Sequence, residues 1–215
     1  MVSREVTIPV GNDQVIAAEV AGTPSNGLVL FVHGSGSSRH SPRNRHVAEV
    51  LQDAGLQTVL LDLLTEDEEP RDVRTREHRF DIDLLTRRVL RAVHWLRDQG
   101  RDEPLGLFGA STGAAAALIA AALEPEQVEA VVSRGGRPDL AMDHLGAVRA
   151  PTLLIVGGND RQVLELNQRA LEQLWEESSL VVVERAGHLF EEPGKLDEVA
   201  SLASDWFRDW LATRG

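Results

Sequence analysis

Pro104-Leu-Gly-Leu-Phe-Gly-Ala-Ser-Thr-Gly-Ala-Ala-Ala-Ala-Leu118 is the most informative segment of the chain. It opens with a short apolar run, continues as Gly109-Ala110-Ser111-Thr112-Gly113, and ends in an alanine-rich helical run. Strand, sharp turn and helix in that order are the context that makes Gly-x-Ser-x-Gly a nucleophile elbow rather than an incidental small-residue turn. Such a turn lifts Ser111 above the sheet edge, so the chain on either side must pass close to itself. Glycine is the residue without a Cβ to obstruct that approach. Ala114 to Ala117 keep the following helix slim where it packs on the sheet.

On either side of the elbow lie other buried strands. Leu28 to Val32 is a continuous apolar run, the mark of a strand covered on both faces in a parallel sheet. It empties into His33-Gly34-Ser35-Gly36-Ser37-Ser38. Leu56 to Leu61 forms a second such strand, ending at Asp62. Beyond the elbow come Val128 to Val132 before Ser133-Arg134-Gly135-Gly136-Arg137, and Pro151 to Val156 before Gly157-Gly158-Asn159-Asp160. Leu180 to Val183 follows, before Ala186-Gly187-His188. Apolar residues at helical spacing separate these strands: Val47 to Ala54, Ile82 to Leu96, Leu140 to Leu145, Val163 to Leu174 and Val199 to Trp210. Alternating residues in Arg4 to Val10 and Gln14 to Ala21 predict an opening hairpin turned at Gly11-Asn12-Asp13. The charged stretch Thr65 to Arg79 reads as a solvated loop. This rhythm requires an α/β fold with a mostly parallel central sheet and helices on both faces. A single domain over residues 1–215 is expected. Only a short loop and one small helix fill Ser133 to Ala150, so no separate cap domain is expected.

Composition narrows the partners. With 42% hydrophobic and 26% charged residues the chain is of ordinary globular type. A formal net charge of −12 argues against nucleic acid and anionic membranes. Met1-Val-Ser-Arg-Glu-Val-Thr has neither a basic nor an apolar leader region, and no run is long enough to span a bilayer. The absence of cysteine removes disulfide and thiol chemistry and fits a cytoplasmic protein. Seven histidines show no metal-binding spacing, so neither a metal nor another cofactor is expected.

Ser111, Asp160 and His188 each lie just past a strand, on the edge where open parallel sheets bind ligands. Their chain order is that of a Ser-Asp-His hydrolase site. A serine hydroxyl needs a base to take its proton, and histidine has an ordinary pKa near neutrality. A carboxylate behind the ring fixes its tautomer and stabilises the imidazolium. After Leu28 to Val32, the backbone N–H of Ser35 is expected to join that of Thr112 as an oxyanion hole. His33 and Gly34 are expected to border the substrate. Arg134 and Arg137 follow a strand whose end lies near the elbow; either is a candidate to attract a substrate carboxylate or phosphate. Gly34-Ser35-Gly36 is no dinucleotide fingerprint, because Arg39 stands where the third glycine belongs.

On these residues the chain resembles the α/β-hydrolase superfamily, and within it the small dienelactone hydrolase-like proteins without a cap. The resemblance rests on His33-Gly-Ser-Gly-Ser37, Gly109-Ala-Ser-Thr-Gly113, Gly157-Gly-Asn-Asp160 and Gly187-His-Leu-Phe190. It implies oxyanion loop, nucleophile, acid and base in that order. Dienelactone hydrolases proper use a cysteine nucleophile; Ser111 in a chain without cysteine favours a serine carboxylesterase acting on small esters. A similar segment also occurs fused to phosphoribosyltransferase domains, and no such domain is expected here. The alternatives are acyl transfer or perhydrolysis on the same triad, or a non-catalytic binding protein. With no lid in Ser133 to Ala150 there is little apolar wall to cover a long acyl chain, so short acyl groups, acetyl to butyryl, are expected, without activation at a lipid interface.

Overall fold

In the computed structural model, residues 3–23 and 27–212 are described. Ser3–Gly11 (β1) and Gln14–Ala21 (β2) form the expected hairpin, with Asn12 and Asp13 at positive φ in its turn. Leu28–Val32 (β3), Pro42–Asp53 (α1) and Gln57–Leu61 (β4) follow, then Glu68–Thr75 (α2) and Ile82–Asp98 (α3). Leu105–Ala110 (β5), Thr112–Leu123 (α4) and Ala130–Arg134 (β6) carry the elbow region. A 3₁₀ turn at Pro138–Ala141 and Met142–Leu145 (α5) precede Thr152–Gly157 (β7). Arg161–Leu171 (α6), Ser179–Val183 (β8) and Lys195–Leu211 (α7) complete the described chain.

All eight strands join one sheet in the order β1-β2-β4-β3-β5-β6-β7-β8. β2 runs antiparallel to β1 and β4, and every pair from β4 to β8 is parallel. Period-two alternation then sorts each central strand between two cores. Leu28, Leu30 and Val32 of β3 pack with Leu107 and Val131 against α3 and α4. Val29 and Phe31 join Phe108, Val132 and Ile155 beneath α1 and α7. No cap insertion interrupts the sheet: the interval between β6 and β7 holds only the 3₁₀ turn and the short α5. Among the described residues, no helix is long and apolar enough to cross a membrane.

The closest packing lies where β3, β5 and α4 meet. A Cβ on Gly113 would overlap the carbonyl oxygens of Val32 and His33, and one on Gly109 would overlap the backbone of Ala114. These two glycines let α4 descend onto the ends of β3 and β5, and the fully buried Ala114 to Ala117 keep that contact close.

Thr65 to Arg79 is largely exposed, as its composition implies, but it is not all loop: Glu68–Thr75 forms α2, tied to α3 by one charge pair and to the turn that follows it by another. Arg88 of α3 donates to Glu68 at 2.7 Å, and Arg79 Nε donates to Asp72 Oδ2 at 2.6 Å. Asp72 is buried, which on its own would raise its pKa. Hydrogen bonds from the Arg79 backbone and guanidinium and from the His78 N–H outweigh that and hold the carboxyl below its ordinary value. α2 walls a cavity of about 300 Å³ with Gly34 to Ser37 on its other side.

Candidate active site

Ser111 sits between β5 and α4 at φ 51°, ψ −121°, a conformation side chains rarely adopt. Its neighbours maintain it. The Ser111 N–H donates to the Arg134 carbonyl at 3.2 Å, and the N–H of Arg137 donates to the Ser111 carbonyl at 3.1 Å. The hydroxyl opens into a cleft of about 240 Å³ shared with His188, Gly34 and Ser35.

His188 follows β8, and its Nδ1 lies 2.7 Å from Asp160 Oδ2. Asp160 stands where an N-cap for α6 would stand, yet its side chain makes no capping hydrogen bond and turns to the histidine instead. The two loops are sewn together by backbone: Gly158 N–H donates to Val183, and Asn159 N–H to Ala186, each at 2.9 Å. A Cβ on Gly157 would overlap the carbonyls of Ala186 and Gly187, so glycine permits this approach. Glu192, which the sequence reading passed over, accepts from the Gly187 N–H at 2.9 Å and braces the histidine loop. With Nδ1–H committed to the carboxylate, Nε2 is the ring atom left to take a proton in the cleft.

The expected oxyanion pair is arranged differently from its sequence reading. The Ser35 N–H donates to Thr112 Oγ1 at 2.9 Å, so it is already engaged. The Thr112 N–H, at the first position of α4, lies ahead of the helix's own carbonyl ladder. A bound oxyanion would therefore displace or share the Thr112 hydroxyl to reach Ser35. Gly34 packs against the elbow, since a Cβ there would stand 3.1 Å from that of Ser111.

The arginines part company. Arg137 forms a two-point pair with Asp139, at 2.8 Å and 2.7 Å, which occupies the charge expected to face substrate. The Asp139 two residues on was the available signal. Arg134 lines the cleft, with Arg43 and Asn44 of α1 beside it, two residues the sequence reading did not single out.

His33 borders the cavity under α2, but both ring nitrogens are spent within the chain. Nδ1–H donates to the Gly34 carbonyl at 2.9 Å, and Nε2 accepts from the Leu63 N–H at 3.1 Å. It therefore ties the loop after β3 to the segment just past β4 and has no polar ring atom left for a substrate. Burial lowers its pKa below the ordinary 6.5, against the opposing pull of the Gly34 carbonyl, Asp62 and Glu69. A depressed histidine pKa favours the neutral form in the fold. Its stabilising contribution is full above about pH 6.5 and is lost as pH falls through the lowered folded-state value. Between pH 7 and pH 4.5, urea unfolding of His33→Gln should lose less stability than the wild type. Parallel pH profiles would show that this ring does not contribute to acid sensitivity.

Known proteins share this fold. The sequence profile of the alpha/beta hydrolase fold matches residues 27–148. A Mycobacterium tuberculosis protein carrying the name of a phosphoribosyl transferase is 55% identical over 214 residues, 99% of this chain and 47% of its own length. The chain thus spans about half the length of the curated relatives it matches. A crystal structure named dienelactone hydrolase, from Anabaena variabilis, superposes with a TM-score of 0.93 at 55% identity, covering 97% of this chain and 98% of the other. A Xanthomonas campestris structure described as a serine hydrolase without lid shares the fold, with a TM-score of 0.75 at 24% identity over 99% and 97% of the two chains. From elbow to histidine loop, the chain belongs to the α/β-hydrolase fold family, in its cap-less, dienelactone hydrolase-like form.

Proposed function

We propose that this protein is a serine hydrolase that cleaves small carboxylic esters through an acyl-enzyme, with Ser111 as nucleophile, His188 as base and Asp160 behind it. The observation that carries the reading is the Asp160–His188 hydrogen bond opening onto the cleft of a strained Ser111. His188 Nε2 takes the Ser111 proton as Oγ attacks the ester carbonyl. Negative charge then forms on the carbonyl oxygen, where the Thr112 N–H and the Ser35 N–H, exchanged from the Thr112 hydroxyl, receive it. The imidazolium returns its proton to the leaving alcohol, and water repeats the sequence to release the acid. The reading takes the chain as one cytoplasmic domain, in keeping with its single sheet and lack of cysteine.

Two cavities meet at Gly34, Ser35 and Ser37, one holding Ser111 and His188 and the other walled by α2. Leu63, Leu64, Val73 and Leu85 give the second its apolar lining. It offers room for one small arm of an ester and opens to solvent beyond Val73, which is 67% exposed.

On p-nitrophenyl acetate, Ser111→Ala should lower kcat by about 10⁴-fold or more, with the fold intact by circular dichroism. Retention of a tenth of wild-type activity would remove Ser111 as nucleophile. Each buried methylene contributes about 0.8 kcal/mol, roughly fourfold in rate, only while the cavity covers it. Across p-nitrophenyl esters, kcat/KM should therefore peak within the first few acyl carbons, and Val73→Trp should move the optimum. A steady rise to decanoate, or an optimum untouched by Val73→Trp, would contradict the placement of the acyl arm.

A further inference from the structure

The turn at the exit of β6 meets both the proposed nucleophile and the proposed base. The carbonyl of Arg134 and the N–H of Arg137 hold the two sides of Ser111. Between them Gly135 lies at φ 51°, with its N–H on the Ile155 carbonyl at 2.8 Å. A Cβ on Gly135 would stand 3.5 Å from both Nδ1 and Cε1 of His188, so the backbone here forms a seat for the imidazole. A Cβ on Gly136 would overlap the side chains of Ser133 and Ala114, so this buried residue is wedged between β6 and α4. Any shift of the turn would therefore move the elbow and the histidine seat together.

A buried side chain ties this turn to the helix that carries Asp160. α6 begins directly after Asp160, and its buried residues are Val163, Asn167 and Ala170, spaced as one helical face. Asn167, about two turns beyond Asp160, is the polar member of that face and is fully buried. Its Nδ2 donates to the Val163 carbonyl at 2.8 Å and to the Gly136 carbonyl at 3.0 Å. The first is a local bond within its own helix. The second crosses from the helix of Asp160 to the turn that holds Ser111 and His188. Stability alone does not ask for it. Leucine would fill a similar volume, favour the helix more and bring no polar atom into the core. Asn167 Oδ1, by contrast, is buried with no hydrogen-bond partner among the described residues, which is unfavourable.

We propose that Asn167 is a positioning residue: by holding the Gly136 carbonyl it fixes residues 134–137, and with them the Ser111 backbone and the His188 ring, relative to Asp160. The inference rests on the reading of Ser111, His188 and Asp160 as the catalytic groups. Asn167 acts through the turn and not on the substrate, so its loss should slow the chemistry and leave ester binding alone. Proton transfer from Ser111 Oγ to His188 Nε2 depends on their separation, and a misplacement of about 1 Å can cost roughly 100-fold in rate.

The test is turnover of p-nitrophenyl acetate expressed per working active site, the sites being counted by exhaustive titration with diisopropyl fluorophosphate. Asn167→Ser keeps a hydroxyl for the Val163 carbonyl but is too short to reach Gly136. Asn167→Leu keeps the volume and removes both bonds. In each variant kcat per titrated site should fall about tenfold or more, with KM within about threefold of the wild type. A kcat per site within about twofold of the wild type in a folded variant would overturn the inference. A merely structural Asn167 gives that second result: the melting temperature and the number of working sites fall, and each remaining site turns over normally. A rise in KM with kcat unchanged would also overturn it, by placing Asn167 in substrate binding. Should Asn167→Leu fail to fold, Asn167→Ser decides, since its smaller side chain brings no clash. A wild type that neither turns over ester nor takes up the fluorophosphate removes the catalytic reading and this inference with it. An active wild type with unaltered variants removes the inference alone.

Discussion

Backbone against backbone at the junction of β3, β5 and α4 is the contact on which the rest of the structure depends. Gly113 lies against the carbonyls of Val32 and His33, and Gly109 against Ala114, with no space for a Cβ at either position. That approach places the end of β3 beside the start of α4. The loop after β3 and the Ser111 turn therefore share one point of space. The positive φ of Ser111 is sustained because its N–H and carbonyl are both bonded to the Arg134–Arg137 segment. Strain at this residue is a local cost offset by the surrounding sheet and helix, and it projects the hydroxyl into the cleft.

The same economy of backbone places the remaining groups. Gly157 lets β7 approach the histidine loop, and three amides of Gly158-Asn159-Asp160 bond to carbonyls of β7, β8 and the turn after it. The Asp160 side chain is then free of capping duty and meets His188 at 2.7 Å. Thr112 contributes twice, through its N–H and through a hydroxyl that holds the Ser35 amide. On the proposed reading that hydroxyl stands where a negatively charged oxygen would accept in the reaction. The Ser35 donor is thus satisfied and already aimed at the elbow.

Much of this was legible in the sequence because it depends on local rules. Continuous apolar runs marked β3 to β7, alternation marked the β1–β2 hairpin, and Gly109-Ala-Ser-Thr-Gly113 marked the turn. Candidate residues at strand ends gave Ser111, Asp160 and His188 a common edge. The start of α1 was also there to be read in Ser41-Pro42, cap and first turn, ahead of the apolar spacing that begins at Val47. What escaped depends on distant partners. α2 is anchored to α3 where Glu68 meets Arg88, a pairing twenty residues apart that a run of mixed charge does not single out. Arg43 and Asn44 join the cleft only because α1 packs beside the end of β6. His33 looked like a substrate contact because nothing local reveals that Leu63 occupies its second nitrogen.

The central claim is that Ser111 is activated by the Asp160–His188 pair. Reaction with diisopropyl fluorophosphate tests it most directly, since this reagent modifies serines that an adjacent base has made nucleophilic. Mass mapping should find one phosphorylated residue, Ser111, with labelling much slower in His188→Ala. A modification on another residue, or labelling of Ser111 at the same rate without His188, would contradict the account.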